Sequence, residues 1–148
     1  MTQPATTYHV LAHSASHGDA SIQAADLTLP IDASWNADEP SGLPGPAELL
    51  AAAFAACLLK NLERSSTLMG FAYDIADIDV TARRQDSPPK FVEITYELRL
   101  VTDEDERRVN LLHRNLSQFG TVYNTLAAAC DVHGTIITRP RPGHEPNR

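Results

Sequence analysis

AELLAAAFAACLLKNLERSS, residues 47–66, is almost pure alanine and leucine up to Cys57 and turns basic and polar from Lys60 onward. Pro46, just ahead of it, suits the first helical position, where its missing N–H is no loss, and Glu48 complements the positive end of the helix dipole. The pattern continues to Met69, after which Gly70 can adopt the left-handed conformation that ends helices, so the spacing predicts a helix of about 23 residues. At about 100° per residue the cysteine stripe comprises Leu50, Ala53, Phe54, Cys57, Lys60, Asn61 and Arg64, and the opposite side carries Ala52, Ala55, Leu59 and Leu62. Both sides are apolar through the first half. A helix of that kind needs cover all round, more than one sheet and one further helix of so short a chain supply, so a second copy of the chain is expected against it. The alanines let two such helices approach closely, with less burial per residue than leucine would give.

The segments around this helix alternate between strand and helix patterns. Tyr8 to His13 and Ser21 to Leu29 read as two short strands joined across His17-Gly18-Asp19. Pro30, Pro40, Pro44 and Pro46, with Gly42 and Gly45, make Pro30 to Pro46 a long loop without regular structure, of the kind that often borders a site. Beyond Gly70, Ile78, Val80 and Ala82 alternate with Asp77, Asp79 and Thr81. After Asp86-Ser87-Pro88-Pro89, Ile94, Tyr96, Leu98 and Leu100 alternate with Glu93, Thr95, Glu97 and Arg99. Both segments predict half-buried antiparallel strands. Thr102 can cap an amphipathic helix whose apolar positions are Val109, Leu112, Leu116 and Phe119, ending at Gly120. Thr121 can cap a shorter helix to Ala129, Val132 to Thr138 predicts a closing strand, and Arg139 to Arg148 reads as a flexible polar tail. The class is α+β: an antiparallel sheet with two main helices in a single domain, residues 1–138.

The chain has 148 residues, enough for one core and too few to promise two. With 12 Lys and Arg against 19 Asp and Glu, net charge −7 and an isoelectric point near 5.2, it lacks the basic excess that nucleic-acid binding needs. The longest apolar run, Leu49 to Leu59, is about half of a membrane span, and Met1 opens onto polar residues, so the expectation is a cytoplasmic protein without membrane contact. Two cysteines, Cys57 and Cys130, are too few for a disulfide scaffold and form no paired zinc motif.

Cys57 has two readings. A free cysteine is a small apolar side chain suited to an alanine-rich contact. Lys60 and Arg64 share its stripe, the position from which a cation favours a thiolate, although the same two residues also suit a solvated helix end. His9, His13 and His17 recur every four residues, but in extended chain successive ones stand roughly 13 Å apart, too far to share a metal. No metal or other cofactor is expected. Trp35, the only tryptophan, lies in the proline-rich loop, where it either roofs an apolar pocket at a dimer interface or simply packs.

Gly45-Pro46-Ala47-Glu48-Leu49-Leu50, the alanine-rich run to Cys57, the helix stop at Gly70, the strand pair, the second helix and then Gly120-Thr121-Val122-Tyr123-Asn124-Thr125-Leu126 together resemble the OsmC/Ohr family over nearly the whole chain. The resemblance implies an intertwined α/β homodimer with its central helices at the interface. It also implies a nucleophilic Cys57: in the members that reduce organic hydroperoxides this cysteine attacks the peroxide, becomes a sulfenic acid and is resolved by a second cysteine. It suggests Glu48, Gly120, Tyr123 and Asn124 as site-lining, beside Phe54, Lys60 and Arg64 from the Cys57 stripe and Trp35 from the loop, and His133 follows the second motif. Three departures stand out. The family glutamate ten residues before the nucleophile is Ala47 here, with Glu48 one position out and turned to the far face. No arginine precedes Arg64. The resolving cysteine falls at Gly120, ten residues before Cys130.

Two functional classes stay open. The first is a stress-related thiol peroxidase acting through Cys57 on organic hydroperoxides, with an external thiol as reductant. The second is a non-peroxidase homodimer of the same family that binds an apolar small molecule at an interfacial pocket.

Overall fold

The alternating stretch from Ile75 to Val101 organises the larger of two compact units, one running up to Leu49 and the other from Leu50. The structure, a computed structural model, describes residues 5–16, 18–35 and 39–143. In chain order the elements are β1 (Leu11–Ser14), β2 (Ala20–Ala24), β3 (Leu27–Ile31), α1 (Pro46–Met69), β4 (Ile75–Asp86), β5 (Pro89–Val101), α2 (Glu106–Phe119), α3 (Thr121–Ala127) and β6 (Asp131–Arg139).

In the larger unit β4 and β5 form an antiparallel pair from Ile75 opposite Val101 to Asp86 opposite Pro89, with one irregularity between Arg83 and Arg84. Period-two alternation sends Ile94, Tyr96, Leu98 and Leu100 into the core and leaves Arg99 on the outer face. The third strand departs from the expected antiparallel sheet. β6 lies beside β5 and runs parallel to it, Glu93 opposite Asp131 through Val101 opposite Arg139, so the sheet is mixed. The reason is the connection: α2 and α3 carry the chain back along the sheet, and a crossover of that kind delivers a parallel neighbour where a tight turn would deliver an antiparallel one.

Phe54, Leu58 and Leu62 of α1, Leu112 and Leu116 of α2 and Tyr123 of α3 form one buried cluster with the inward row of β5. Each large apolar side chain fully buried there contributes about 1.5–3 kcal/mol, so these positions decide which face of α1 turns inward. The buried stripe is Phe54, Leu58, Asn61, Leu62 and Ser65. It runs between the two stripes expected from the sequence: Leu62, assigned to the side opposite Cys57, is buried together with Phe54 and Asn61 from the cysteine side. Cys57 is left half-buried at its margin, while Ala52, Ala53, Ala56 and Leu59 are exposed.

The helix ends carry specific partners. Gly70 takes φ +64 as the stop of α1, and Arg108 donates to the Met69 carbonyl at 2.8 Å. Asp105, not Thr102, caps α2, accepting from the Arg108 N–H at 2.8 Å. Thr102 is buried instead, its hydroxyl donating to the Ala72 carbonyl at 2.5 Å and accepting from the Glu104 N–H at 3.1 Å, because β5 extends to Val101 and the threonine ties that strand end to the α1–β4 connection. Gly120, with no side chain, holds the N-cap position of α3 that was expected of Thr121. At the C-terminal end Arg139 closes β6 and the Arg141 N–H donates to Asp103 at 3.0 Å; residues 144–148 of the expected tail lie outside the described residues.

The smaller unit holds an antiparallel sheet in the order β1-β2-β3. The single strand expected over Ser21 to Leu29 is two strands, because Ala25 at φ 51 and Asp26 turn the chain between Ala24 and Leu27. His17, in the expected first turn, lies outside the described residues. Asp32 gathers the following loop: its carboxylate accepts from the Ser34 N–H and hydroxyl and from the Ser41 hydroxyl, and these bonds hold its carboxyl below the ordinary range. Among the described residues Ala20 is the buried apolar residue of this unit, whereas Tyr8, Val10, Leu11, Leu27, Leu29 and Trp35 are exposed. Among the described residues no helix is long and apolar enough to cross a membrane.

Gly134 of β6 faces Tyr96 so closely that a Cβ there would sit 2.4 Å from the Tyr96 carbonyl oxygen and 2.5 Å from its ring. Gly134→Ala is expected to lower unfolding free energy by about 2–3 kcal/mol, since backbone as well as ring must move; urea titration checks this against wild type.

Candidate functional site

Two segments far apart in sequence meet beside Cys57. A Cβ built on Gly120, at the α2–α3 junction, would lie 3.1 Å from the Cys57 sulfur, 2.9 Å from Asn61 Nδ2 and 2.9 Å from the Tyr123 Cβ. The two 2.9 Å distances are shorter than real Cβ contacts, so a side chain here would force a neighbour to shift. Glycine at 120 is what allows the junction to press against α1, and the sulfur and the Asn61 amide both face that backbone. Asn61 is 8 % exposed, and its Nδ2 has no hydrogen-bond partner.

Beneath this surface lies an aromatic group. Phe54 packs on Tyr96 and Tyr123 with ring centroids 5.8 and 5.6 Å away, and Tyr96 meets Tyr123 edge-on at 6.3 Å. The Tyr96 hydroxyl is bonded to His113 Nε2 at 2.7 Å. Burial pushes the tyrosine's proton affinity up, with the neighbouring Tyr123 adding to it, and pulls that of His113 down. Both groups are thereby held neutral.

The other residues named from the sequence are dispersed. Arg64 places its guanidinium 4.4 Å from the centre of the Phe119 ring, a cation–π contact at the exposed end of α2. Lys60 is exposed. Glu48 accepts from the Gly45 N–H at 3.1 Å and serves the start of α1. Asn124 is exposed and donates to the Gln118 carbonyl at 3.1 Å, closing the α2–α3 junction from outside. Trp35 is fully exposed in the smaller unit. Cys130 donates to the Leu126 carbonyl at 3.4 Å and packs against the core, with burial raising its thiol's pKa. His133 lies on the outer face of the sheet, 3.4 Å from Asp131 and 3.9 Å from Glu93, whose carboxylate also pairs with Arg83 at 3.3 Å. Cys57, Gly120 and Tyr123 are thus brought together, over Phe54.

Sequence reasoning put Asn61 on the cysteine stripe without a role and passed over His113. The available signals were an amide set among Leu58, Leu59 and Leu62, and a histidine within the Val109, Leu112, Leu116 stripe.

An α1 cysteine against the α2–α3 junction, within a mixed sheet covered by helices, defines a known α+β class. The sequence matches the OsmC-like protein family over residues 38–133, and the chain belongs to that family. No curated protein matches it. Among solved structures it is similar to an OsmC-like protein from Mycoplasma pneumoniae, with a TM-score of 0.80 at 16% identity over 90% of this chain and 97% of that one. It is also similar to the organic hydroperoxide resistance protein OhrB of Bacillus subtilis, with a TM-score of 0.66 at 20% identity over 89% of this chain and 98% of that one. A further similar structure is an organic hydroperoxide resistance protein OsmC from Legionella pneumophila, with a TM-score of 0.68 at 16% identity over 90% and 98% of the two chains. At these identities the likeness establishes the fold.

His113 gives the site region a measurable pH signature. Its folded pKa lies below the ordinary value of 6.5, so the unfolded chain binds its proton first as pH falls. The stabilisation is complete above pH 6.5 and is lost as pH drops through the lowered folded value. Between pH 7.5 and 5.5, His113→Gln is expected to lose less unfolding free energy than wild type in paired urea titrations.

Proposed function

We propose that this protein is a cytoplasmic, homodimeric thiol peroxidase that reduces organic hydroperoxides at Cys57 and depends on an external thiol for turnover. The observation that carries the reading is the 3.1 Å approach of the Gly120 Cβ position to the Cys57 sulfur. The position that aligns with the resolving cysteine of the hydroperoxide-reducing members is in contact with the nucleophile position. That position is glycine here, so no second thiol stands beside Cys57, which supports resolution by an external thiol. The likeness to two structures named as organic hydroperoxide resistance proteins supports the same direction.

The chemistry balances without a cofactor. The Cys57 thiolate attacks the terminal peroxide oxygen; an S–O bond forms, the O–O bond breaks, and the alkoxide takes up a proton to leave as alcohol. An external thiol then displaces the sulfenyl oxygen as water, and a second thiol releases Cys57 and carries away the disulfide.

Dimerisation is supported by unburied apolar surface in each unit considered alone. Ala52, Ala53, Ala56 and Leu59 form an exposed run along α1, and the three-stranded sheet buries Ala20 while leaving Leu11, Leu27 and Leu29 open. A second copy offers matching surface by symmetry.

Cys57→Ser is expected to abolish hydroperoxide consumption in the presence of a small dithiol, while Cys130→Ser retains most of it. Wild-type consumption no faster than that of the dithiol alone would transfer the assignment to the family reading without peroxidase function. Peptide mapping after mild peroxide is expected to show no Cys57–Cys130 bridge as the main product. Light scattering is expected to give twice 16.1 kDa, with an interface well over ~2,000 Å²; a folded monomer at micromolar concentration would refute the dimer.

A further inference from the structure

We infer that Asn61 is the hydrogen-bond donor for the oxygen that Cys57 takes from a hydroperoxide, so that its side-chain amide holds the Cys57 sulfenic acid until an external thiol arrives. This rests on the peroxidase reading and adds a specific role for a residue next to the nucleophile. Asn61 is 8 % exposed and its Nδ2 has no partner, while Leu58 and Leu62 beside it are fully buried. A buried donor left unmade costs about 1–3 kcal/mol, so packing alone favours leucine at this position. The amide is also aimed. Nδ2 and the Cys57 sulfur lie 2.9 and 3.1 Å from the same point beside Gly120, which puts them within about 6 Å of each other, one helical turn apart on α1.

Oxidation changes what stands in that gap. When the thiolate attacks the peroxide, the sulfur gains one oxygen, is oxidised by two electrons, and the alcohol leaves with the other oxygen and a proton. The new oxygen is a hydrogen-bond acceptor on a side chain that previously presented only sulfur, and it projects from an atom within about 6 Å of the unpaired N–H. Resolution by an external thiol expels that oxygen as water and returns the amide to its unpaired state. The donor is neutral and is satisfied only in the oxidised enzyme, so it favours the intermediate over the reduced resting form. Ser65, one turn further along the buried stripe, also has an unpaired hydroxyl and provides the control position.

The test uses full-length protein in a Cys130→Ser background, oxidised with one equivalent of cumene hydroperoxide and trapped with dimedone at intervals for intact-mass analysis. Asn61→Leu is expected to shorten the lifetime of the Cys57 sulfenic acid about tenfold, the equivalent of one lost hydrogen bond. Asn61→Ala, which demands no extra room, should shorten it similarly, and Ser65→Ala should leave it as in wild type. Reduced Asn61→Leu should melt no lower than wild type, because leucine replaces an unpaired donor. If Cys57 oxidises normally and the lifetime is unchanged in both Asn61 variants, the inference is overturned and the peroxidase reading stands. If wild-type Cys57 is not oxidised by hydroperoxide at all, the peroxidase reading falls and this inference with it.

Discussion

The Tyr96 ring is the point at which the helices of the larger unit are fixed to its sheet. It comes from the central strand β5, lies over Gly134 of β6, meets Phe54 of α1 and Tyr123 of α3 and bonds His113 of α2. One side chain therefore sets the height of three helices above two strands. Interiors are packed too densely for those helices to shift independently, so the approach of the α2–α3 junction to α1 depends on this ring. Gly134 and Gly120 are the two ends of the same constraint: the first lets the ring lie against β6, and the second lets the junction sit against Cys57. A polar hydroxyl at the centre of so apolar a group is tolerated because His113 accepts or donates to it, and burial keeps both partners neutral.

Much of this was legible from residue order. Alternation from Ile94 to Leu100 marked the inward row, and Pro46 with Gly70 marked both ends of α1, because those signals are local and steric. The buried face of α1 was less accessible. Leu, Ala and Phe occur all round its first half, so helical periodicity alone leaves the orientation undetermined, and tertiary contact with β5 selects Phe54, Leu58 and Leu62. The parallel setting of β6 was hidden for a different reason: strand patterns carry no direction, and only the path of α2 and α3 decides it. At Thr102 a good capping residue was drawn into a buried bond with Ala72, leaving Asp105 to cap α2.

The site shows the same division. Cys57 and Gly120 were visible as motif positions, and Phe54 and Tyr123 as neighbours of those positions, whereas their shared aromatic contact with Tyr96 required the fold. Lys60 and Arg64 illustrate how little a shared helical stripe decides for long side chains. Arg64 reaches sideways to the face of Phe119, where its charge stays solvated and its planar group stacks. Asn61 is shorter and fixed by its surroundings, so its amide has few directions available.

The covering of α1 links the stability of the chain to its chemistry. Cys57 occupies the margin between the buried stripe and the exposed alanines, with Ala53 one turn before it, Ala56 adjacent and Lys60 nearly one turn after it. Whatever covers Ala53 and Ala56 therefore also narrows the approach to the sulfur. The three-stranded sheet raises the same requirement from the stability side, because a small sheet with little buried apolar surface does not offset the entropy of ordering its own chain. On the proposed peroxidase reading, the surface that needs cover is, at Cys57, also the surface through which a hydroperoxide and then a thiol would pass. In the proposed dimer, cover by small side chains would meet both demands, since alanine against alanine excludes bulk water and fills less space beside the sulfur than leucine would. On this view the alanine-rich first half of α1 reconciles close helix contact with access to the one cysteine the helix carries.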